Sequence, residues 1–244
     1  MEAIAVIPAR FGSTRFPGKM LADRTGKPLI QHVYERARQA ASISRVIIAA
    51  DDVRIADAVR AFGGECVMTR SDHPNGTSRI AEACLSLGAE IIVNVQGDEP
   101  ELEPNLIDLA VANLLQHHDC PMGTVASPFA TGEDPTNPNI VKVVLDRRGR
   151  AMYFSRSLIP FDRDGTSLLT PLKHVGLYVY RREFLPVYVS LAETPLERTE
   201  KLEQLRVLEH GHSIAVVVAE AHFHGIDTPE QYEAFVRRAG QHGS

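Results

Sequence analysis

The chain opens on a short apolar run, Ala3 to Pro8, of the kind that forms a parallel strand buried on both faces. Similar runs recur at Arg45 to Ala50 and Glu90 to Val95, with a shorter one at Glu65 to Met68. Between them the period lengthens. In Pro28 to Ala41, Leu29, Ile30, Val33, Ala37 and the Ala40–Ala41 pair recur at near-helical spacing. Val53 to Phe62, Thr77 to Leu87 and Pro104 to Gln116 read as further helices. Strands and helices alternating at this interval predict right-handed βαβ units and a parallel sheet.

After about residue 120 the pattern changes. Pro128 to Asn139 is rich in Pro, Asn, Asp and Gly and reads as a loop. Val141 to Leu145, His174 to Tyr180 and Ile214 to Ala219 are strand candidates, and Glu183 to Val189, Leu196 to His210 and Pro229 to Arg238 are helix candidates. The expectation is one α/β domain over residues 1–244: a main half at 1–120, an insertion-bearing lobe at 121–220, and a closing turn and helix at 221–244. The last strand and helix are expected to return to the main sheet.

Composition narrows the function classes. Hydrophobic residues make up 44% of the 244, enough for a real core, and the formal net charge of -5 leaves no basic balance of the kind nucleic acid attracts. The three cysteines, Cys66, Cys84 and Cys120, have no CxxC spacing, which argues against a disulfide framework or a zinc site. No apolar run approaches membrane-spanning length, and no basic segment precedes a cleavable apolar stretch. A soluble cytoplasmic protein with no membrane or nucleic-acid partner is the expectation.

Open parallel sheets bind ligands beyond the carboxyl ends of their strands, here after Pro8, Ala50 and Val95. After Pro8 comes a loop holding Arg10, Ser13, Thr14, Arg15 and Lys19 among glycines. Guanidinium forks, an ammonium and close backbone approach suit phosphate oxygens, although the segment matches neither GxxxxGK[ST] nor GxGxxG. A solvated basic loop is the bland alternative; its place after a buried strand favours phosphate. After Val95 come Gln96, Gly97, Asp98 and Glu99. They read as a charged turn or as a carboxylate held rigidly for a hard cation such as Mg²⁺, with Asp98 better placed because Pro100 turns the chain away. Near the C-terminus, Thr228, Pro229 and Gln231 form a capping box that leaves Asp227 either as an alternative cap or as a second metal ligand. After Ala50, Asp52 reads as the cap of the next helix.

Taken together, Ile7 to Lys19, Met68 to His73, Gly76 to Arg79, Val93 to Pro100, Asn137 to Asp146, Tyr153 to Arg156, Lys173 to Tyr178, Leu202 to Arg206 and Ile226 to Glu230 resemble, in order, the motifs of the 3-deoxy-manno-octulosonate (Kdo) cytidylyltransferases, or CMP-Kdo synthetases. The resemblance implies a Rossmann-like, mostly parallel sheet of the nucleotide-diphospho-sugar transferase type with a smaller sugar-binding and dimerisation lobe. It implies a homodimer that makes CMP-Kdo and pyrophosphate from CTP and Kdo, with Mg²⁺, for lipopolysaccharide assembly. By resemblance, Arg10, Ser13, Arg15 and Lys19 hold the CTP phosphates, and Gly76, Thr77 and Arg79 help form the nucleotide pocket. Asp98 and Asp227 bind the metal; with Arg10 and Lys19 they form the catalytic set. Gln96, Arg156, His174, Tyr178, Glu203 and Gln204 line the sugar-acid site. His174 and Tyr178 are four apart on a predicted strand and so share a face. Asn75 and Phe16 depart from the family's usual serine and leucine. A cytidylyltransferase for a related acid, the 8-amino analogue or sialic acid, shares the basic loop, and a CTP-binding module without catalysis is the reading from another class.

Overall fold

The computed structural model describes residues 2–13, 15–166, 169–221 and 225–241. The chain is α/β and divides into two compact units, residues 1–108 with 222–244, and residues 109–221.

In the first unit, β1 (Ala3–Ala9), β2 (Ile43–Ala50), β3 (Glu65–Met68) and β4 (Ile91–Asn94) form a parallel sheet in the order β3-β2-β1-β4. The apolar runs are continuous because both faces are covered: Ile4, Val6, Ile7, Ile48 and Val93 are buried. Each such side chain contributes roughly 1.5–3 kcal/mol on full burial. Helix α1 (Leu29–Ala37) ends four residues before the expected Ala41. Helix α2 (Val53–Ala61) is capped by Asp52, whose side chain accepts from Arg54 N, as the sequence predicts. Helix α3 (Gly76–Ala83) is capped by Asn75, which accepts from Ser78 N at 2.9 Å, and gives way to a 3₁₀ turn at Cys84–Ser86. Asn75 therefore spends its carboxamide oxygen on the cap, a task that a serine hydroxyl can also perform.

Helix α4 (Pro104–Gln116) has the predicted bounds. In the second unit, β5 (Met122–Pro128) lies between β8 (Leu172–Arg181), antiparallel to it, and β9 (Ile214–Val218), parallel to it. A hairpin of β6 (Lys142–Leu145) and β7 (Ala151–Ser155) joins through the pairing of β6 with β8. β5 and β7 are not among the strands expected from the sequence. β5 reads Met-Gly-Thr-Val-Ala-Ser-Pro, whose small and hydroxyl side chains hide a strand buried along nearly its whole length. β9 pairs with β5 in this unit, whereas the C-terminal helix (Pro229–Gln241) packs in the first unit, where Tyr232 and Phe235 join Leu29 and Ile226.

The single helix expected over Leu196 to His210 is two. After α5 (Phe184–Ser190), α6 (Pro195–Glu200) and α7 (Gln204–Glu209) are separated at Lys201, whose φ of 54° is left-handed. The break turns two carbonyls toward Arg156: its guanidinium donates to Glu200 O at 2.7 Å and Lys201 O at 3.5 Å.

Candidate active site

In the first unit, the loop after β1 is tied at both ends. Phe11 N donates to Asp51 Oδ1 at 2.9 Å, and the Phe11 ring lies 3.4 Å from the Arg54 guanidinium carbon. The Ser13 hydroxyl accepts from Phe16 N at 3.3 Å, and the Phe16 ring packs 5.6 Å from Tyr232. Phe16, the departure from leucine, thus anchors the loop on the C-terminal helix. Gly18 follows with φ 70°, a left-handed turn that suits glycine, and caps the 3₁₀ turn Lys19–Leu21. Arg10 and Arg15 are exposed and Ser13 is partly so, while Lys19 is buried. Thr14 lies outside the described residues.

Lys19 turns back from the loop into the carboxylates. Its ammonium donates to Asp98 Oδ2 at 2.7 Å, to Ile226 O at 2.8 Å and to Asp227 Oδ1 at 3.2 Å. All three of its N–H groups are then engaged. Ile226 N donates to Asp98 O at 2.9 Å, so one backbone bond and one ammonium hold Asp98 beside Asp227. Arg15 pairs with Asp227 from the exposed side at 3.0 Å. The capping box forms: Thr228 N donates to Gln231 Oε1 at 3.0 Å and Gln231 N to Thr228 Oγ1 at 3.4 Å. The Asp227 carboxylate is thereby left to Lys19 and Arg15. Glu99 is a different case. Burial and the neighbouring Asp98 charge push its carboxyl up to about 8, so it is neutral near pH 7 and a poor ligand for a hard cation.

Glycine lets the strand ends approach closely. A Cβ at Gly97 would lie 3.1 Å from Pro8 O and 3.0 Å from Met20 Cε; one at Gly76 would lie 3.2 Å from Pro8 Cγ. Thr77 is buried at the start of α3. Arg79 is 4% exposed and donates to Thr69 Oγ1 at 2.6 Å, Arg70 O at 3.1 Å and Asp51 Oδ2 at 3.2 Å. It braces the carboxyl ends of the strands rather than projecting from them. Asp51, at the second of the three strand ends, joins Arg79 to the basic loop, accepting from both Arg79 and Phe11 N. Gln96 Nε2 meets Asn94 Oδ1 at 3.4 Å.

The remaining predicted residues are in the second unit. Arg156 donates to Pro138 O at 3.1 Å besides its bonds to the α6–α7 break. Lys142, which sequence reasoning missed, is fully buried and donates to Asn137 O at 3.0 Å, to Ile140 O at 2.7 Å and to Arg156 O. A lysine flanked by valines in a strand pattern was the signal. The His174 and Tyr178 rings lie 5.4 Å apart. Tyr178 OH donates to Gln204 Oε1 at 3.2 Å, and Tyr188 OH to Glu203 Oε2 at 3.2 Å. Gln204 is 4% exposed, and its Nε2 meets no partner among the described residues. Such a buried, unmet donor is what a ligand oxygen satisfies.

The donor set in the first unit fits Mg²⁺. The Lys19 ammonium marks a point on which oxygens of Asp98 and Asp227 both converge. Mg²⁺ commonly takes one or two protein carboxylates and completes its shell with substrate phosphate and water. Among the described residues no group of three or more His, Cys, Asp or Glu side chains is placed to hold a metal, as an all-protein cage would require.

A family model described as cytidylyltransferase matches residues 4–214. The chain is 52% identical over 238 residues to the 3-deoxy-manno-octulosonate cytidylyltransferase of Syntrophotalea carbinolica, covering 94% of this chain and 95% of that one. It is 52% identical over 248 residues to the protein so named in Geobacter sulfurreducens, covering 98% and 99%. A solved structure of CMP:2-keto-3-deoxy-manno-octonic acid synthetase complexed with CTP superposes with a TM-score of 0.94 at 42% identity, covering 99% of this chain and all of that one.

Proposed function

The chain belongs to the 3-deoxy-manno-octulosonate cytidylyltransferase family, and on that premise we propose that it transfers CMP from CTP to Kdo with release of pyrophosphate, activating the sugar acid for lipopolysaccharide assembly. The observation that carries the site assignment is the convergence of Asp98 and Asp227 on Lys19, next to a loop of exposed arginines.

The anomeric hydroxyl of the sugar attacks the α-phosphorus in line; a P–O bond forms to the sugar, the bond from the α-phosphorus to the bridging oxygen breaks as pyrophosphate leaves with that oxygen, and the hydroxyl proton passes to solvent. No protein nucleophile takes part. Arg10 and Arg15 neutralise charge on the departing pyrophosphate, where guanidinium forks match phosphate oxygens. Ser13 and the α3 start at Gly76 and Thr77 hold the nucleotide, with Arg79 and Asp51 keeping the strand ends in place. Asp98 and Asp227 hold Mg²⁺, which when bound supplies Lewis-acid neutralisation of phosphate charge and lowers the pKa of the attacking hydroxyl. Lys19 neutralises the two carboxylates and reaches phosphate only by giving up one of its three bonds. Arg156, His174, Tyr178, Glu203 and Gln204 take the sugar acid, Arg156 as partner to its carboxylate. The reading includes a homodimer, supported by the exposed apolar side chains Met152, Leu158 and Phe161; light scattering tests it.

The deciding assay gives the protein CTP and Mg²⁺ with Kdo, its 8-amino analogue or sialic acid in turn and measures pyrophosphate. Release with Kdo at a kcat/KM well above the others supports the proposal. Preference for another acid reassigns the substrate, and CTP binding without release for any acid favours the non-catalytic module.

A further inference from the structure

The His174 and Tyr178 rings lie 5.4 Å apart although four residues separate them along β8. At about 3.3 Å per residue their Cα atoms would stand about 13 Å apart. The pairing of β5 with β8 jumps from Thr124↔Tyr178 to Val125↔Val175, so Gly176 and Leu177 bulge out of the ladder and bring the two rings together. Thr124 faces this bulge. Its hydroxyl donates to Leu177 O at 2.7 Å, with Val175 O at 3.2 Å, and lies 2.9 Å from His174 Nε2.

A hydroxyl has one proton. Carbonyl oxygens only accept, so the Thr124 proton goes to the bulge, and Thr124 Oγ1 accepts from His174. The imidazole then carries its hydrogen on Nε2, and Nδ1 is left with a lone pair. No group among the described residues meets Nδ1. The ring packs against Phe154 at 5.0 Å and Tyr178 at 5.4 Å.

We propose that Thr124 is a positioning residue that fixes His174 as the neutral Nε2–H tautomer and so presents Nδ1 as a hydrogen-bond acceptor for a hydroxyl of the sugar acid. This rests on the assignment of His174 to the sugar acid. It gives the histidine a role opposite to that of a cation for the substrate carboxylate. Burial, which holds the imidazole down at about 3, agrees with a ring that stays neutral.

The test uses the full chain labelled with ¹⁵N-histidine, alongside Thr124→Val, which removes the hydroxyl at nearly constant shape, and Thr124→Ser, which restores it. In the ligand-free wild type, long-range ¹H–¹⁵N spectra are expected to show His174 with Nε2 protonated and Nδ1 bare throughout the range in which ordinary histidines titrate. Thr124→Val is expected to mix the tautomers and raise KM for Kdo roughly tenfold, the worth of about one hydrogen bond, with KM for CTP and kcat little changed. Thr124→Ser is expected to restore both. An Nδ1–H tautomer, or protonation of His174 in that range, overturns the proposal whatever the protein's substrate. The expected tautomer with an unchanged KM for Kdo in Thr124→Val overturns the sugar-binding role. Absence of pyrophosphate release with any sugar acid in the wild type overturns the functional reading instead, and the spectra still decide the tautomer.

Discussion

Ile226 N donates to Asp98 O across 2.9 Å, joining the turn after β4 to the turn before the C-terminal helix. The side chains on either side of that bond, Asp98 and Asp227, meet at one ammonium, that of Lys19. Two carboxylates so close repel unless a cation lies between them, and the Lys19 ammonium lies there.

Lys19→Met should therefore lower stability by about 1–3 kcal/mol, less than a fully buried pair would lose because Asp227 is 43% exposed. Mg²⁺ should raise the Tm of this variant more than that of the wild type. Thermal unfolding with and without the metal measures both.

Arg15→Ala should separate stability from function. The Arg15–Asp227 pair is exposed at both ends, so unfolding free energy should move by less than about 0.5 kcal/mol. If Arg15 meets the pyrophosphate, kcat/KM for CTP should fall about tenfold or more. Steady-state kinetics with denaturant unfolding on the same sample checks the split.

Gly97→Ala should damage the site from beneath. The added Cβ meets Pro8 O at 3.1 Å, and backbone cannot step aside as Met20 can. A loss of about 1–3 kcal/mol is expected, together with lower turnover, because the base of the basic loop and the turn carrying Asp98 are forced apart. Calorimetry and the pyrophosphate assay measure the two effects.

The lowered pKa of His174 makes a pH prediction with a definite sign. The folded state keeps the ring neutral down to about 3, while the unfolded chain takes a proton near the ordinary value of 6.5. Its stabilising contribution is present above 6.5 and is lost as pH falls from there toward 3, at up to about 1.4 kcal/mol per pH unit. His174→Gln should flatten that part of the stability curve in denaturant titrations at stepped pH.

The sequence made some of this legible and hid the rest for physical reasons. β1, β2 and β4 were readable because strands buried on both faces must be continuously apolar, and the Thr228–Gln231 box was readable because capping is local chemistry. β5 was not, since a strand flanked by two others can use glycine, threonine and serine where space is short. The break at Lys201 answers to Arg156, 45 residues away, which no helical periodicity records. Lys19 reads in sequence as a member of the basic loop; its bonds to Asp98 and Asp227 span 79 and 208 residues and belong to the tertiary structure. Likewise the spacing of His174 and Tyr178 indicates a shared face, while their contact depends on the bulge opposite Thr124.

Pyrophosphate release by the wild type and Asp98→Asn, with CTP and Kdo present and Mg²⁺ added or chelated, tests the central claim most directly. The wild type should release pyrophosphate only when nucleotide, sugar acid and metal are all present. Asp98→Asn should lose roughly a hundredfold or more of that rate while unfolding cooperatively as the wild type does. Undiminished release by Asp98→Asn, or release that ignores removal of the metal, would contradict the assignment of Asp98 and Asp227 as the catalytic metal ligands.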